Sequence, residues 1–255
     1  TILSKIFIFI LISMAAEELH AQQATVKMVP SGINAEKVVS SENLRMQVEF
    51  LADSTFGGRA TGSRGAVEIA LWISRRYESA GLTPLGGTWS RSFKVDNLVG
   101  RNIIGFLPGK RDKAKELYTI ICAHYDSHGV IDGNFYPGAD NNASGVAAML
   151  SLADMFQKMK RLGRSYGKNI IFVATDAKER NSAGAEALMK DIKNGRLKDP
   201  VNGETITMDK IHSTVVLDIL GSTLAPLHKD RSDFLIMLSG GQYTFDLTRA
   251  NEGYG

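Results

Sequence analysis

The sequence contains a single cysteine, Cys122, in 255 residues. One cysteine cannot form a disulfide within the chain, and it cannot supply the several thiolates of a cysteine-based zinc site. Any metal ion that this protein binds must therefore be held by histidine and carboxylate side chains.

The sequence also lacks a large excess of charge of either sign. It has 30 Lys and Arg residues against 27 Asp and Glu residues, which gives a formal net charge of +3. A nucleic-acid surface needs basic residues concentrated in one stripe or patch, so we expect no nucleic-acid partner. With 44% apolar and 22% charged residues, the composition is that of a globular protein that can bury a core.

No apolar run reaches the length of about 20 residues that a membrane-spanning helix needs. The first residues instead carry Lys5, an apolar run over residues 6–12 and a small-residue site ending at Ala21. This pattern is typical of an export signal, and a buried element of the domain is the alternative. We therefore predict a signal peptide over residues 1–21, a linker over 22–41, one domain over 42–255, and a periplasmic or secreted location.

Apolar runs that alternate with helical periodicity predict an α/β fold. Such a pattern favours a mostly parallel central sheet with helices on both faces. One predicted helix begins at Glu42, and three more cover residues 66–80, 144–160 and 183–193. Gly81 is the predicted C-cap of the helix over 66–80. The predicted strands cover residues 102–107, 117–123, 169–175, 214–220 and 234–238.

Four potential metal ligands lie at or near the carboxyl ends of the predicted strands, where open α/β sheets bind ligands. They are His124, Asp140, Glu179 and Asp218. Asp218 stands out because its neighbours are apolar, and a buried carboxylate needs a metal ion or a cation as partner. Asp126 is spaced from His124 as a carboxylate that orients a metal-bound imidazole.

Each of these residues alone also has an ordinary structural interpretation. A histidine after a strand is often a loop residue, an aspartate before a helix is often its N-cap, and Glu179 alone suits a solvated loop. Together, one histidine and three carboxylates at one sheet edge match the ligands of a two-zinc hydrolase.

Two strings of the sequence resemble the M28 family of metallopeptidases. The family has His-x-Asp after a strand, as in Ala123-His124-Tyr125-Asp126-Ser127, and a long, specific loop that matches Pro137-Gly138-Ala139-Asp140-Asn141-Asn142-Ala143-Ser144-Gly145. The upstream strings Gly58-Arg59, Gly62-Ser63 and Gly81-Leu82-Thr83-Pro84 are similar to the region before the metal site.

The resemblance covers roughly residues 42–240 and implies a zinc aminopeptidase fold with two Zn²⁺ ions. It implies that His124 and Asp218 ligate one zinc, that Asp140 bridges both, and that Glu179 ligates the other. Asp126 would orient His124, and the Asp140-Asn141 peptide bond would be cis. The implied function is an exported exopeptidase that releases N-terminal residues from peptides by means of a zinc-activated water.

The sequence departs from the family at Lys178. The family has two adjacent glutamates here, the first a general base and the second a ligand, whereas this chain reads Lys178-Glu179. A protonated lysine cannot accept the proton of the bridging water, although two nearby zinc ions would favour its neutral form. The interpretation that we favour is an outward-pointing, solvated Lys178, which leaves a slow enzyme or a non-catalytic relative.

The second departure is the family's last histidine ligand, which lies well beyond the strand of Asp218. The chain stops at Gly255, so we expect the peptidase domain over 42–255 to lack its C-terminal part. His212 and His228 are assigned no role, and His128 is interpreted as a loop residue. Two alternatives stay open: a catalytically impaired M28-like protein that binds a metal or peptide, and a glutaminyl-cyclase-like enzyme.

Overall fold

The computed structural model describes residues 39–110 and 117–221, and these residues form an α/β fold. The four α-helices of this part of the chain are α1 (Ser41–Leu51), α2 (Arg64–Ser79), α3 (Ser144–Arg161) and α4 (Ala183–Lys193). Its strands are β1 (Thr83–Pro84), β2 (Ser90–Val95), β3 (Leu98–Leu107), β4 (Tyr118–His124), β5 (Gly129–Ile131), β6 (Asn134–Tyr136), β7 (Asn169–Thr175) and β8 (Ile211–Val216).

Side-chain caps fix the start of the first two helices. Ser40 accepts a hydrogen bond from the backbone N–H of Asn43 at the start of α1, and Ser63 accepts one from Ala66 at the start of α2. These contacts satisfy N–H groups that have no partner inside the helix. The predicted stop of α2 is confirmed, because Gly81 follows the helix with a φ of 79°, a conformation that glycine adopts without strain.

The central sheet has the strand order β1-β3-β7-β4-β8, and β2 pairs with β3 outside this path. The strands β7, β4 and β8 run parallel to one another, whereas β1, β2 and β7 pair with β3 in the antiparallel sense. The parallel half of the sheet therefore brings the carboxyl ends of three strands to one edge.

Apolar side chains cover both faces of this sheet, which confirms the predicted layering. One core packs α1, α2 and α3 against the sheet and includes Ile73, Val146 and Phe172. The other core lies beneath α4 and includes Leu188 and Val173. The strands β4 and β7 are buried on both sides, as expected for uninterrupted apolar runs in the middle of a sheet.

The structure corrects the strand predicted over 214–220. The strand β8 ends at Val216, and beyond Leu217 the backbone bonds to side chains instead of β4: Ile219 N–H donates to Asn142 and Leu220 N–H to Ser144. Asp218 therefore follows the strand. Sequence analysis also missed β1, β2 and the β5–β6 hairpin, and the strand predicted over 234–238 lies outside the described residues. Within residues 39–110 and 117–221, no helix is long and apolar enough to cross a membrane.

Candidate active site

The predicted site residues come from the ends of the three parallel strands and from one loop. His124 is the last residue of β4, Glu179 lies four residues after the end of β7, and Asp218 lies two residues after the end of β8. Asp140 lies in a π-helical turn over Ala139–Ala143, just before α3. The topology therefore gathers residues that are distant in sequence at one edge of the sheet.

His124 is held between two aspartates. Its Nε2 atom lies 3.2 Å from Oδ1 of Asp218, and its Nδ1 atom lies 3.0 Å from the carbonyl oxygen of Asp126 and 3.4 Å from Asp126 Oδ1. Burial alone lowers the pKa of His124, but the nearby carboxylates of Asp126 and Asp218 outweigh it and raise the pKa to about 9. Without a metal ion, the imidazolium form is therefore favoured at neutral pH.

The contact with His124 also affects the ionisation of the Asp218 carboxylate. Burial alone would raise its pKa, but the hydrogen bond and charge of His124, together with the charge of Lys178, hold it below its ordinary value. Asp218 is thus an anion with a side chain that is 22% exposed, open enough to accept a further cation.

Asp126 is fully buried and connects two parts of the site. Its Oδ2 atom accepts a hydrogen bond of 3.1 Å from the backbone N–H of Glu179. Its Oδ1 atom faces the His124 ring at 3.4 Å without the geometry of a hydrogen bond. One carboxylate thus fixes the loop after β7 relative to the end of β4.

The loop of Asp140 is fastened to the segment that carries Asp218. Asp140 Oδ1 accepts a hydrogen bond of 2.7 Å from Gly221 N–H. The N–H group that orients Asp140 therefore comes from the segment after Asp218, whereas its position before α3 had suggested an N–H group of that helix. The cis peptide bond of this loop also differs from the expectation, since it joins Asn141 to Asn142 and not Asp140 to Asn141.

Asn142 is a structural contributor that sequence analysis did not assign. The side chain is completely buried; its Nδ2 donates to Leu217 O at 2.9 Å, and its Oδ1 accepts from the N–H groups of Gly145 and Ile219. Asn142 therefore places the backbone on both sides of Asp218. Its position in the motif loop was the only signal in the sequence.

Lys178 points into the site, and the prediction of an outward, solvated side chain is wrong. Its Nζ atom lies 3.2 Å from Asn141 Oδ1, 3.4 Å from Glu179 Oε1 and 4.0 Å from Asp218 Oδ2. The physical reason is charge, because partly buried carboxylates attract the nearest cation. The sequence alone does not show that Asn141 and Asp218 meet beside this side chain.

His128, which the sequence placed in a loop without a role, also reaches the site. Its Nδ1 atom lies 3.4 Å from Oε2 of Glu179, and its ring makes an edge contact with Tyr136 of the β5–β6 hairpin. The Glu179 carboxylate thus has His128 on one side, and Lys178 and Asn141 on the other.

Arg59 holds together the backbone segments that flank the site. Its side chain is buried and donates hydrogen bonds to the carbonyl oxygens of Tyr125, Pro137, Gly138 and Leu51. Burial lowers the pKa of Arg59 to about 10, against the charge of Asp126, which raises it. One guanidinium group therefore ties the chain beside His124 to the loop that leads to Asp140.

The distance between His124 Nε2 and Asp218 Oδ1 is compatible with two ligands of one metal ion. A metal ion would displace the proton from Nε2, and with the remaining ring proton on Nδ1, Nε2 and Asp218 Oδ1 would be two donor atoms 3.2 Å apart for one cation. Two ligand atoms at zinc bond lengths in a tetrahedral site lie about 3.3 Å apart. The structure does not gather the four predicted ligands into one complete metal site. Among residues 39–110 and 117–221, no three His, Cys, Asp or Glu side chains are grouped to hold a metal ion.

The fold and the site define an α/β protein with a histidine and carboxylate cluster at the ends of its parallel strands. The chain belongs to peptidase family M28. The sequence model of that family matches residues 102–234, which is more than half of the chain and includes each of the predicted site residues.

Similarity to a curated protein is more limited. The chain is 27% identical over 183 residues to the alkaline phosphatase isozyme conversion protein of Escherichia coli (strain K12), a match that covers 65% of this chain and 49% of that protein. The chain therefore spans about half the length of this relative.

Solved structures share the fold. LapA of Legionella pneumophila, an aminopeptidase, superimposes with a TM-score of 0.61 at 20% identity, covering 81% of this chain and 51% of LapA. The glutaminyl cyclase of Macrostomum lignano gives a TM-score of 0.61 at 16% identity, covering 82% of this chain and 63% of the cyclase. An aminopeptidase and a cyclase match equally well, so the fold alone does not choose between the two reactions.

Proposed function

We propose that this protein is an exported, zinc-dependent aminopeptidase that hydrolyses N-terminal residues from peptides. The observation that carries the proposal is the contact between His124 and Asp218 at 3.2 Å, with Asp126 buried behind the imidazole. Membership of peptidase family M28 supports a hydrolase that acts on peptides. The likeness to LapA, which is named an aminopeptidase, supports action at the N-terminus.

The donor atoms suit zinc, because imidazole nitrogen and carboxylate oxygen are among its usual ligands. His124 and Asp218 would hold the ion, and the family resemblance adds Asp140, whose carboxylate accepts the N–H of Gly221 in this structure. When bound, zinc supplies a Lewis acid for the peptide carbonyl and lowers the pKa of a coordinated water. Asp126 orients the imidazole for this role, as carboxylates behind metal-bound histidines commonly do.

One observation favours a second candidate, a catalytically impaired M28 protein that binds a metal ion or a peptide. Lys178 stands where the family has its general base, and its ammonium group contacts Glu179 and Asn141. A lysine held as a cation has no lone pair with which to accept a proton from water. This candidate keeps the fold and the binding residues but hydrolyses peptides very slowly or not at all.

The test compares the wild-type chain with Lys178→Glu, which restores the family's residue. We expect the wild type to hydrolyse aminoacyl-arylamides slowly, a chelator to abolish the reaction and Zn²⁺ to restore it, and Lys178→Glu to increase the rate. A general base typically contributes about 10²–10⁴-fold. The exposed Lys193 provides the matched control, Lys193→Glu, which should leave the rate unchanged.

The outcomes separate the candidates. Hydrolysis by Lys178→Glu alone selects the impaired protein, whereas wild-type activity that Lys178→Glu does not increase rejects it. Conversion of an N-terminal glutamine peptide to its cyclic product, without hydrolysis, selects a cyclase. A wild-type activity that survives complete removal of metal rejects the zinc-dependent proposal.

A further inference from the structure

We infer that the ammonium group of Lys178 is a built-in cation that takes the place of a second metal ion, so that the site binds one divalent ion and not two. The inference rests on the proposed metal dependence of the His124–Asp218 pair. It replaces the two-ion arrangement that the family resemblance implied.

The position of the Lys178 side chain carries the inference. Its Nζ atom has oxygen atoms of three site residues around it: Asn141 at 3.2 Å, Glu179 at 3.4 Å and Asp218 at 4.0 Å. The side chain is 32% exposed, and its charged end lies beside these carboxylates. These are the surroundings of a cation.

Charge gives the physical reason. The side chains of Glu179 and Asp218 are 20% and 22% exposed, and carboxylates with so little access to water need a compensating positive charge. Lys178 supplies one such charge. A divalent ion on Glu179 would lie a few ångströms from the ammonium group, where like charges in a partly buried site repel strongly.

The donors for a second ion are nevertheless partly present. Glu179 Oε2 and His128 Nδ1 lie 3.4 Å apart, close to the spacing of two ligands of one zinc ion, which is about 3.3 Å. Removing the ammonium group of Lys178 should therefore free Glu179 to bind a metal ion together with His128. The positive charge of Lys178, and not a lack of donors at Glu179, is the inferred barrier.

The experiment counts metal ions in the full chain. Wild type, Lys178→Met, Lys178→Arg and the control Lys193→Met are stripped with a chelator, saturated with Zn²⁺, desalted and analysed by elemental mass spectrometry. We expect one ion per chain in the wild type, in Lys178→Arg and in Lys193→Met, and two in Lys178→Met. Methionine keeps most of the length of the side chain and removes its charge together with its hydrogen-bond donors.

The melting temperature of the metal-free proteins provides a second readout. Lys178→Met should lower the Tm by about 2–4 °C, because the Glu179 carboxylate loses the ammonium group beside it and Asp218 keeps only His124 as a cationic neighbour, while Lys178→Arg and Lys193→Met should keep the wild-type value. Two ions in the wild type, or one ion in Lys178→Met, would overturn the inference. If no variant binds zinc, the proposed metal dependence fails, and an unchanged Tm of Lys178→Met would then overturn the built-in cation as well.

Discussion

The imidazole of His124 and the carboxylate of Asp218 are 3.2 Å apart, although 94 positions separate the two residues in the sequence. The reason is the pairing of β4 with β8, which run parallel with Cys122 opposite Val216. Both residues therefore leave the sheet at the same edge, where Asp126 completes the group.

Asp126→Asn should weaken zinc binding without removing a ligand. The Asp126 carboxylate faces the His124 ring and accepts the N–H of Glu179, so an amide in its place loses the negative charge that orients the ring. Comparable changes behind metal-bound histidines cost about 10–100-fold in metal affinity. Competition with a chromophoric chelator measures the effect. The exposed turn residue Asp132 gives the control, Asp132→Asn, and equal affinities for the two variants would contradict the assigned role.

The stability of the metal-free protein should fall as the pH rises from 6.5 to 9. The pKa of folded His124 is raised from 6.5 to about 9, so the folded state holds the proton more tightly than the unfolded chain does. The protonated His124 therefore contributes fully to the free energy of unfolding below pH 6.5. This contribution, roughly 3 kcal/mol at most, is lost as the pH rises toward 9. Urea unfolding in the presence of a chelator measures it. His124→Gln should lack this part of the slope, and parallel profiles for the two proteins would exclude the assignment.

Arg59→Met should strongly destabilise the fold. The substitution removes the donor to carbonyl oxygens in three chain segments, of which the contacts with Leu51 and Tyr125 are buried, and each lost hydrogen bond to a charged group costs about 1.5–3 kcal/mol. We expect the free energy of unfolding to fall by about 3 kcal/mol or more, measured by urea denaturation. The control is Arg64→Met, since the Arg64 side chain is 92% exposed and forms a surface ion pair with Glu68, a type of contact worth about 0.5 kcal/mol or less. Similar losses for both variants would refute the supporting role of Arg59.

Much of the fold was predictable, because long apolar runs have few alternatives to burial. The strand Asn169–Thr175 and the helix Ala183–Lys193 agree with their predicted bounds residue for residue. The β5–β6 hairpin was missed because its residues are largely exposed, including Val130 and Phe135, so its sequence carries no pattern of burial. The end of β8 was misplaced because the apolar run continues past Val216, while the backbone already bonds to Asn142.

The sequence by itself determined the α/β order of elements, the choice of histidine and carboxylates as the only possible metal donors, and the motif loop of the family. These properties follow from composition, periodicity and local strings. Only the tertiary structure decided the direction of Lys178, whose ammonium contacts Asn141 from a loop 37 positions away. The physical reason is that a charged side chain turns toward the field of its neighbours in space, and folding chooses those neighbours.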